Sequence, residues 1–187
     1  NEDVGIVTPV TILKNNTKEF SSYGNFNNKL TKKNSEKILQ VDWVHGNILL
    51  VKKEFFEEAG CFDENIFIEF DERDLQKRFF NLKKKILIDF NAKSHHLDGK
   101  SADTKFAFQM KCEKSWHHAW SGYYYFKKHY GIIYALYKCL PFALINFLKF
   151  MYFNFSKDEK KRKIYKLFFL GFYNSVLNRK SFYRAEI

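Results

Sequence analysis

The sequence predicts an α/β N-terminal region followed by an α-helical, membrane-associated C-terminal region. Three observations predict this. Short apolar runs bounded by turn residues recur up to about residue 101. From about Ala102 the chain reads as helical, with no strand signal. That second part is also where aromatic and basic residues concentrate.

Composition bounds the rest. A chain of 187 residues holds one domain of ordinary size, and 45% hydrophobic residues exclude wholesale disorder. With only 8 Gly and 2 Pro, collagen-like and linker-rich readings fail. The formal net charge of +11 favours a polyanionic partner: nucleic acid, an anionic membrane surface or a nucleotide diphosphate. Cys61, Cys112 and Cys139 are odd in number, far apart and form no Cys-x-x-Cys pair. That argues against a disulfide scaffold or structural zinc and fits a reducing compartment. No signal peptide is legible, and Asn1-Glu2-Asp3 runs straight into a strand. The expectation is a chain that begins inside a larger domain.

Along the chain, Val4–Val7 reads as a buried strand stopped near Pro9. Residues 14–37 are polar and read as a long loop or weak hairpin, with turn signals at Tyr23-Gly24-Asn25. Gln40–Val44 and Asn47–Val51 are apolar runs broken at Gly46, where a close backbone approach is expected. Lys52–Ala59 has helical spacing and Gly60 supplies its C-cap. After a turn at Phe62–Asn65 and an apolar stretch Ile66–Phe70, a helix is predicted over Asp71–Leu82 from Leu75, Phe79 and Leu82. Lys85–Phe90 is the next strand, and His95–Ser101 a polar loop. The expected division is 1–101 and 102–187.

The densest chemistry lies in Asp71-Glu72-Arg73-Asp74, three carboxylates at a strand-to-helix junction. Helix N-termini favour carboxylates, because free N–H groups and the dipole stabilise negative charge, so Asp71 as a cap and Asp74 in the first turn is one reading. The other is that one carboxylate projects into a cleft as a general base, with crowding by like charge raising its pKa.

The stretch Val41–Glu64, with Trp43, Gly46, a short helix and Gly60-Cys61-Phe62-Asp63-Glu64, resembles family-2 glycosyltransferases, especially the rhamnosyltransferase-like branch. Asp71-Glu72-Arg73-Asp74-Leu75-Gln76-Lys77-Arg78 falls in register with that family's Glu-Asp-x-Asp-Leu-x-x-Arg motif, and His96-Leu97-Asp98-Gly99-Lys100-Ser101 with its His-x-x-Gly-x-Ser signature. The resemblance covers roughly residues 4–130. It implies the acceptor-side half of a GT-A, Rossmann-like nucleotide-sugar transferase domain. The implied reaction is inverting transfer of a sugar from a nucleotide-sugar donor to a saccharide or lipid-linked saccharide in surface polysaccharide assembly. The base falls on Glu72, but the family's Glu-Asp order is swapped here, so Asp71 stands as the alternative. The resemblance places Trp43, Gly46 and Asp74 on the acceptor side. It places His96 and Arg78 near the donor diphosphate, with His96 also a ligand for Mg²⁺ or Mn²⁺. No Asp-x-Asp is present, so the donor half is expected upstream of Asn1, and the fragment alone is expected to be inactive.

Trp116–Gly131 resembles the post-catalytic segment of the same enzymes; His117 and His118 are read as interfacial or acceptor-side, because neighbours on a helix point about 100° apart and do not converge on one metal. Ile132–Phe155 is strongly apolar yet contains Lys138 and Lys149, each costing about 2.5–3.5 kcal/mol at a membrane centre. Lys127, Lys138, Lys149 and Lys160 recur every eleven residues, a step of about 20° around a helix, so the expected structure is a helix lying in the interface, kinked at Pro141. The basic cluster Lys157–Lys166 would attract anionic lipid, and Leu167–Tyr173 would dip into the interface or pack on the preceding helix. The expected location is peripheral, on the cytoplasmic face of a bacterial inner membrane. The alternative is a non-catalytic basic module binding membrane or nucleic acid; no RNP or helix-turn-helix signature supports the nucleic-acid form.

Overall fold

The computed structural model describes residues 2–13, 23–26, 37–96, 104–156 and 158–185. The fold is mixed α/β: a small mixed sheet and a larger share of helix. The chain divides into two compact units. One comprises Asn1–Asp63 and Glu72–Ser101, the other Glu64–Asp71 and Ala102–Ile187.

The first unit is built on a parallel strand pair, β1 (Val4–Leu13) and β6 (Lys85–His96). Strand β3 (Ile38–Val41) adds antiparallel to β6, and β5 (Leu50–Val51) antiparallel to β1, giving the order β3-β6-β1-β5. A separate ribbon pairs β2 (Tyr23–Gly24) with β4 (Trp43–Val44). Helix α1 (Lys53–Glu58) ends in a Schellman-type cap: Gly60 has φ +83°, its N–H bonds to Glu57 O, and Cys61 N–H bonds to Phe56 O. Helix α2 (Asp71–Asn81) buries Leu75 and Phe79 against Ile6, Val10, Ile86 and Ile88 of the central pair. Gly5 makes room for this. A Cβ there would lie 2.6 Å from the Phe79 ring.

Several expectations need correction. Strand β1 does not stop at Pro9 but runs to Leu13. Proline lacks the ladder N–H, and the pairing slips at that point, from Pro9–Asp89 to Val10–Lys93. The extra residues of β6 are turned by Asp89, whose Oδ1 accepts from the Asn91 backbone N–H at 2.8 Å and its amide at 2.9 Å. Strand β6 thereby reaches His95 and His96, where the sequence predicts a polar loop. The run 40–44 is two strands in two sheets, broken at Asp42, whose carboxylate accepts from Phe26 N–H at 3.0 Å. Of the expected strand 47–51 only Leu50–Val51 pairs, as an edge, and Leu50 is largely exposed. Leu82 lies just past α2 and is exposed. Asp71 is the first helical residue rather than a flanking cap.

The second unit contains a 3₁₀ turn (Thr104–Phe106) and helices α3 (Ala107–Tyr130), α4 (Ile132–Asn154) and α5 (Glu159–Val176). Gly131, at φ +86°, separates α3 from α4, and Asp158 caps α5 by accepting from Lys161 N–H at 3.0 Å. The eleven-residue lysine series is therefore spread over three helices; only Lys138 and Lys149 share one. Helix α4 runs through Pro141. Leu167 packs with Trp116 and Trp120 and Phe172 with Ala119 and Tyr123 of α3, while Phe169 meets Phe147 of α4 at 4.8 Å, so the apolar face of α5 packs on the two preceding helices, the second of the two expected outcomes.

Gly171 sets how closely α5 meets α3. A Cβ there would sit 2.1 Å from the Trp116 carbonyl oxygen, a rigid backbone atom. Gly171→Ala is therefore expected to destabilise this unit by about 1–3 kcal/mol through overpacking, despite alanine's better helix propensity. Thermal unfolding followed by Trp fluorescence checks this; an unchanged or raised midpoint would mean the helices separate without cost.

Candidate functional site

In the first unit the site is organised by a buried glutamine. Gln76 accepts from Val44 N–H at 2.6 Å and donates to Val44 C=O at 3.0 Å, so one side chain satisfies both backbone groups of Val44. That clamp fixes Trp43, His45 and Gly46 against the first turns of α2. A Cβ on Gly46 would lie 2.8 Å from Glu72 Cγ and 3.0 Å from Glu72 Cβ, so this glycine is the close approach that lets the Glu72 side chain lie on the 45–47 backbone. Glu72 is half-buried. Arg73, one residue on, sits over the Trp43 ring at 4.1 Å. Trp43, Gly46 and Glu72 are thus brought together, with Arg73 supplying a positive charge beside them.

Two placements differ from expectation. The Trp43 indole carries Arg73 over its ring, and a Cβ on Gly24 would lie 2.9 Å from its Nε1, Cε2 and Cζ2. These contacts use indole surface that an acceptor sugar would need. Asp74 is fully buried, and its Oδ2 accepts from Arg78 Nε at 3.0 Å and Nη2 at 2.8 Å; Arg78 Nη1 also donates to Ala59 O. The pair braces α2 against the end of α1. Its hydrogen bonds are internal, which removes the physical basis for Asp74 as an acceptor ligand and Arg78 as a diphosphate ligand.

Asp71 belongs to the second unit, Glu72 to the first. The backbone of His96 pairs with Leu13 in the central strands. Its side chain lies outside the described residues, as do 97–103, so the diphosphate and metal expectations fall there. Among the described residues no group of three or more His, Cys, Asp or Glu side chains is arranged to hold a metal.

In the second unit the segment 64–71 is strained. Glu69 and Phe70 have φ +63° and +68°, left-handed values that cost about 1–3 kcal/mol each for residues with a side chain. The conformation is held by contacts to α3. Ser121 Oγ donates to Ile68 O at 2.9 Å, Glu69 meets His118 Nδ1 at 3.1 Å and Lys114 at 3.8 Å, and Phe70 lies against Gly122. His118 is exposed. His117 is not interfacial: it is fully buried, its Nε2 donates to Tyr183 O at 2.9 Å, and its Nδ1 accepts from Ser181 Oγ at 3.1 Å. Burial pushes its pKa down, so the ring is neutral and serves to tie the C-terminal segment to α3.

Gln76 and Arg73 were missed by the sequence reading. A glutamine inside a helix carries no signal until the strand it clamps is known, whereas Arg73 lay in plain view between the carboxylates.

Comparison with known protein families, with curated proteins and with solved structures finds no match to this chain.

Proposed function

We propose that the chain is the acceptor-side half of an inverting, family-2-like GT-A glycosyltransferase. It moves a sugar from a nucleotide-sugar to a saccharide or lipid-linked saccharide in surface polysaccharide assembly. The observation that carries this is the Glu72 side chain lying on Gly46, beside Trp43 and Arg73. A mixed sheet with a parallel central pair is compatible with a GT-A half. In this reading the Glu72 carboxylate takes the proton of the acceptor hydroxyl. The hydroxyl oxygen attacks the anomeric carbon, and the bond to the nucleoside diphosphate breaks, the leaving group taking the electron pair. The divalent metal that the resemblance implies finds no ligand group among the described residues, and no step is routed through it. Screening the full-length protein for nucleotide release over a panel of nucleotide-sugars tests the reading; no release from any donor, with or without acceptor, overturns it.

The helical unit, in this proposal, rests on an anionic membrane surface at the cytoplasmic face of a bacterial inner membrane. Helix α4 is long and apolar enough to cross a membrane by length and composition, and only 11% of its most apolar window is buried. Ile133, Tyr137, Leu148 and Tyr152 stand exposed beside Lys138 and Lys149. Such a face with flanking cations suits an interfacial helix. The same face favours the second reading, a non-catalytic membrane-binding module, which the donor screen separates from the first. The protein is expected to co-sediment with anionic vesicles more than with neutral ones. Binding should weaken between 0.1 and 1 M salt, as the Debye length falls from about 10 to about 3 Å. Equal binding to both vesicle types removes the electrostatic part.

A further inference from the structure

We propose that a cavity in the helical unit takes one hydrocarbon chain of an anionic amphiphile. The cavity holds about 210 Å³ and its walls include Phe70, Phe126, Phe142, Phe168 and Phe172. That is more than the roughly 150 Å³ that accommodates a benzene-sized molecule. It is less than the roughly 300–1,000 Å³ that encloses a whole drug-sized ligand. A segment of an aliphatic chain fits between these limits, with the rest of the molecule outside.

Charge selects the head group. The lining includes Lys138 and no Asp or Glu. Lys138 Nζ lies 5.6 Å and 5.9 Å from the Tyr134 and Tyr137 rings, on the exposed side of α4. The nearby Glu69 carboxylate is occupied by His118 and Lys114. An anionic head beside Lys138 meets a cation and no carboxylate from the cavity wall.

Continuity supplies the route. Lys138 and Phe142 line the cavity and are also exposed residues of α4, so the opening lies on the helix whose apolar face is uncovered. One wall is held at a cost: Phe70 lines the cavity, and both it and Glu69 stand in left-handed backbone. Left-handed backbone at a side-chain-bearing residue on a cavity wall points to a site rather than a packing defect.

The proposal rests on the membrane reading only for where the amphiphile comes from, so its test uses monomer in water. The probe is cis-parinarate, a fluorescent 18-carbon carboxylate, with its methyl ester for comparison. Saturable binding of one parinarate per chain is expected. Lys138→Gln should weaken parinarate about tenfold and leave the ester nearly unchanged. Cys139→Phe, which fills the cavity from its wall, should abolish both. A second readout needs no variant. Cys139 lines the cavity and burial raises its thiol pKa to about 11, so it alkylates slowly, whereas Cys61 is exposed. Bound parinarate should slow Cys139 alkylation further and leave Cys61 unaffected. A Cys139→Phe protein that also loses anionic vesicle binding assigns the chain to a bilayer lipid; one that keeps it assigns a free amphiphile. Non-saturable uptake equal in wild type and Cys139→Phe, with unprotected Cys139, overturns the proposal even if vesicle binding stands.

Discussion

Glu72→Gln in the full-length protein is expected to lower sugar transfer by about 10²–10⁴-fold, the usual worth of a general base, with the unfolding midpoint unchanged. Gln keeps the length and shape of Glu, so its methylenes still lie on Gly46, where the Glu72 Cγ comes within 2.8 Å of a Cβ position. What it loses is the ability to accept a proton at neutral pH. Asp71→Asn is the companion variant. Asp71 is the first residue of α2, a position where a carboxylate is stabilised by the helix N-terminus and Asn costs little. An inactive Asp71→Asn beside an active Glu72→Gln moves the base one residue back. Activity in both makes the cluster structural and removes the catalytic reading. Transfer rates at saturating donor, with and without acceptor, give the readout.

The sequence made the central elements legible where one physical signal acts alone. The apolar runs at Val4 and Lys85 became the parallel pair, and Leu75 and Phe79 at helical spacing became the buried face of α2. Gly60 closing α1 was equally plain, because a left-handed C-cap selects glycine. What was hidden depends on partners far along the chain. Pro9 stops a regular strand, yet here the ladder shifts register past the Asp89–Asn91 turn in β6 and the strand continues. His117 and His118 look alike in sequence. One is buried and neutral beneath Ser181 and Tyr183; the other is exposed on Glu69. The carboxylate run showed the same split. Asp74 is spent on Arg78 inside the fold, and Glu72 lies on the loop of Gly46. Local composition cannot divide such neighbours, because burial is decided by which helix face meets which element.

Replacing Gln76 by Leu is expected to cost the first unit about 2–6 kcal/mol, from about 1–3 kcal/mol for each of two backbone groups left unsatisfied. Leu has nearly the same volume, so packing beside Leu75 and Phe79 changes little. The loss is of hydrogen bonds alone. Val44 is buried at 2% exposure, and its N–H and C=O both bond to the Gln76 amide. Strand β4 is only two residues long, and on its ribbon it has β2 alone as a ladder partner. Without the clamp, β4 keeps its pairing with β2, the Asp42 N–H to Gly24 O bond and the Trp43 contacts, but among the described residues no other side chain bonds to the backbone of Val44 in the way Gln76 does. Urea unfolding gives the stability change, and amide hydrogen exchange locates it. Protection should fall first at Val44 and its neighbours, not at Ile86 or Ile88 in the central strand. A midpoint unchanged within error would mean that water replaces the amide at Val44. The glutamine would then not be what sets Gly46 against Glu72.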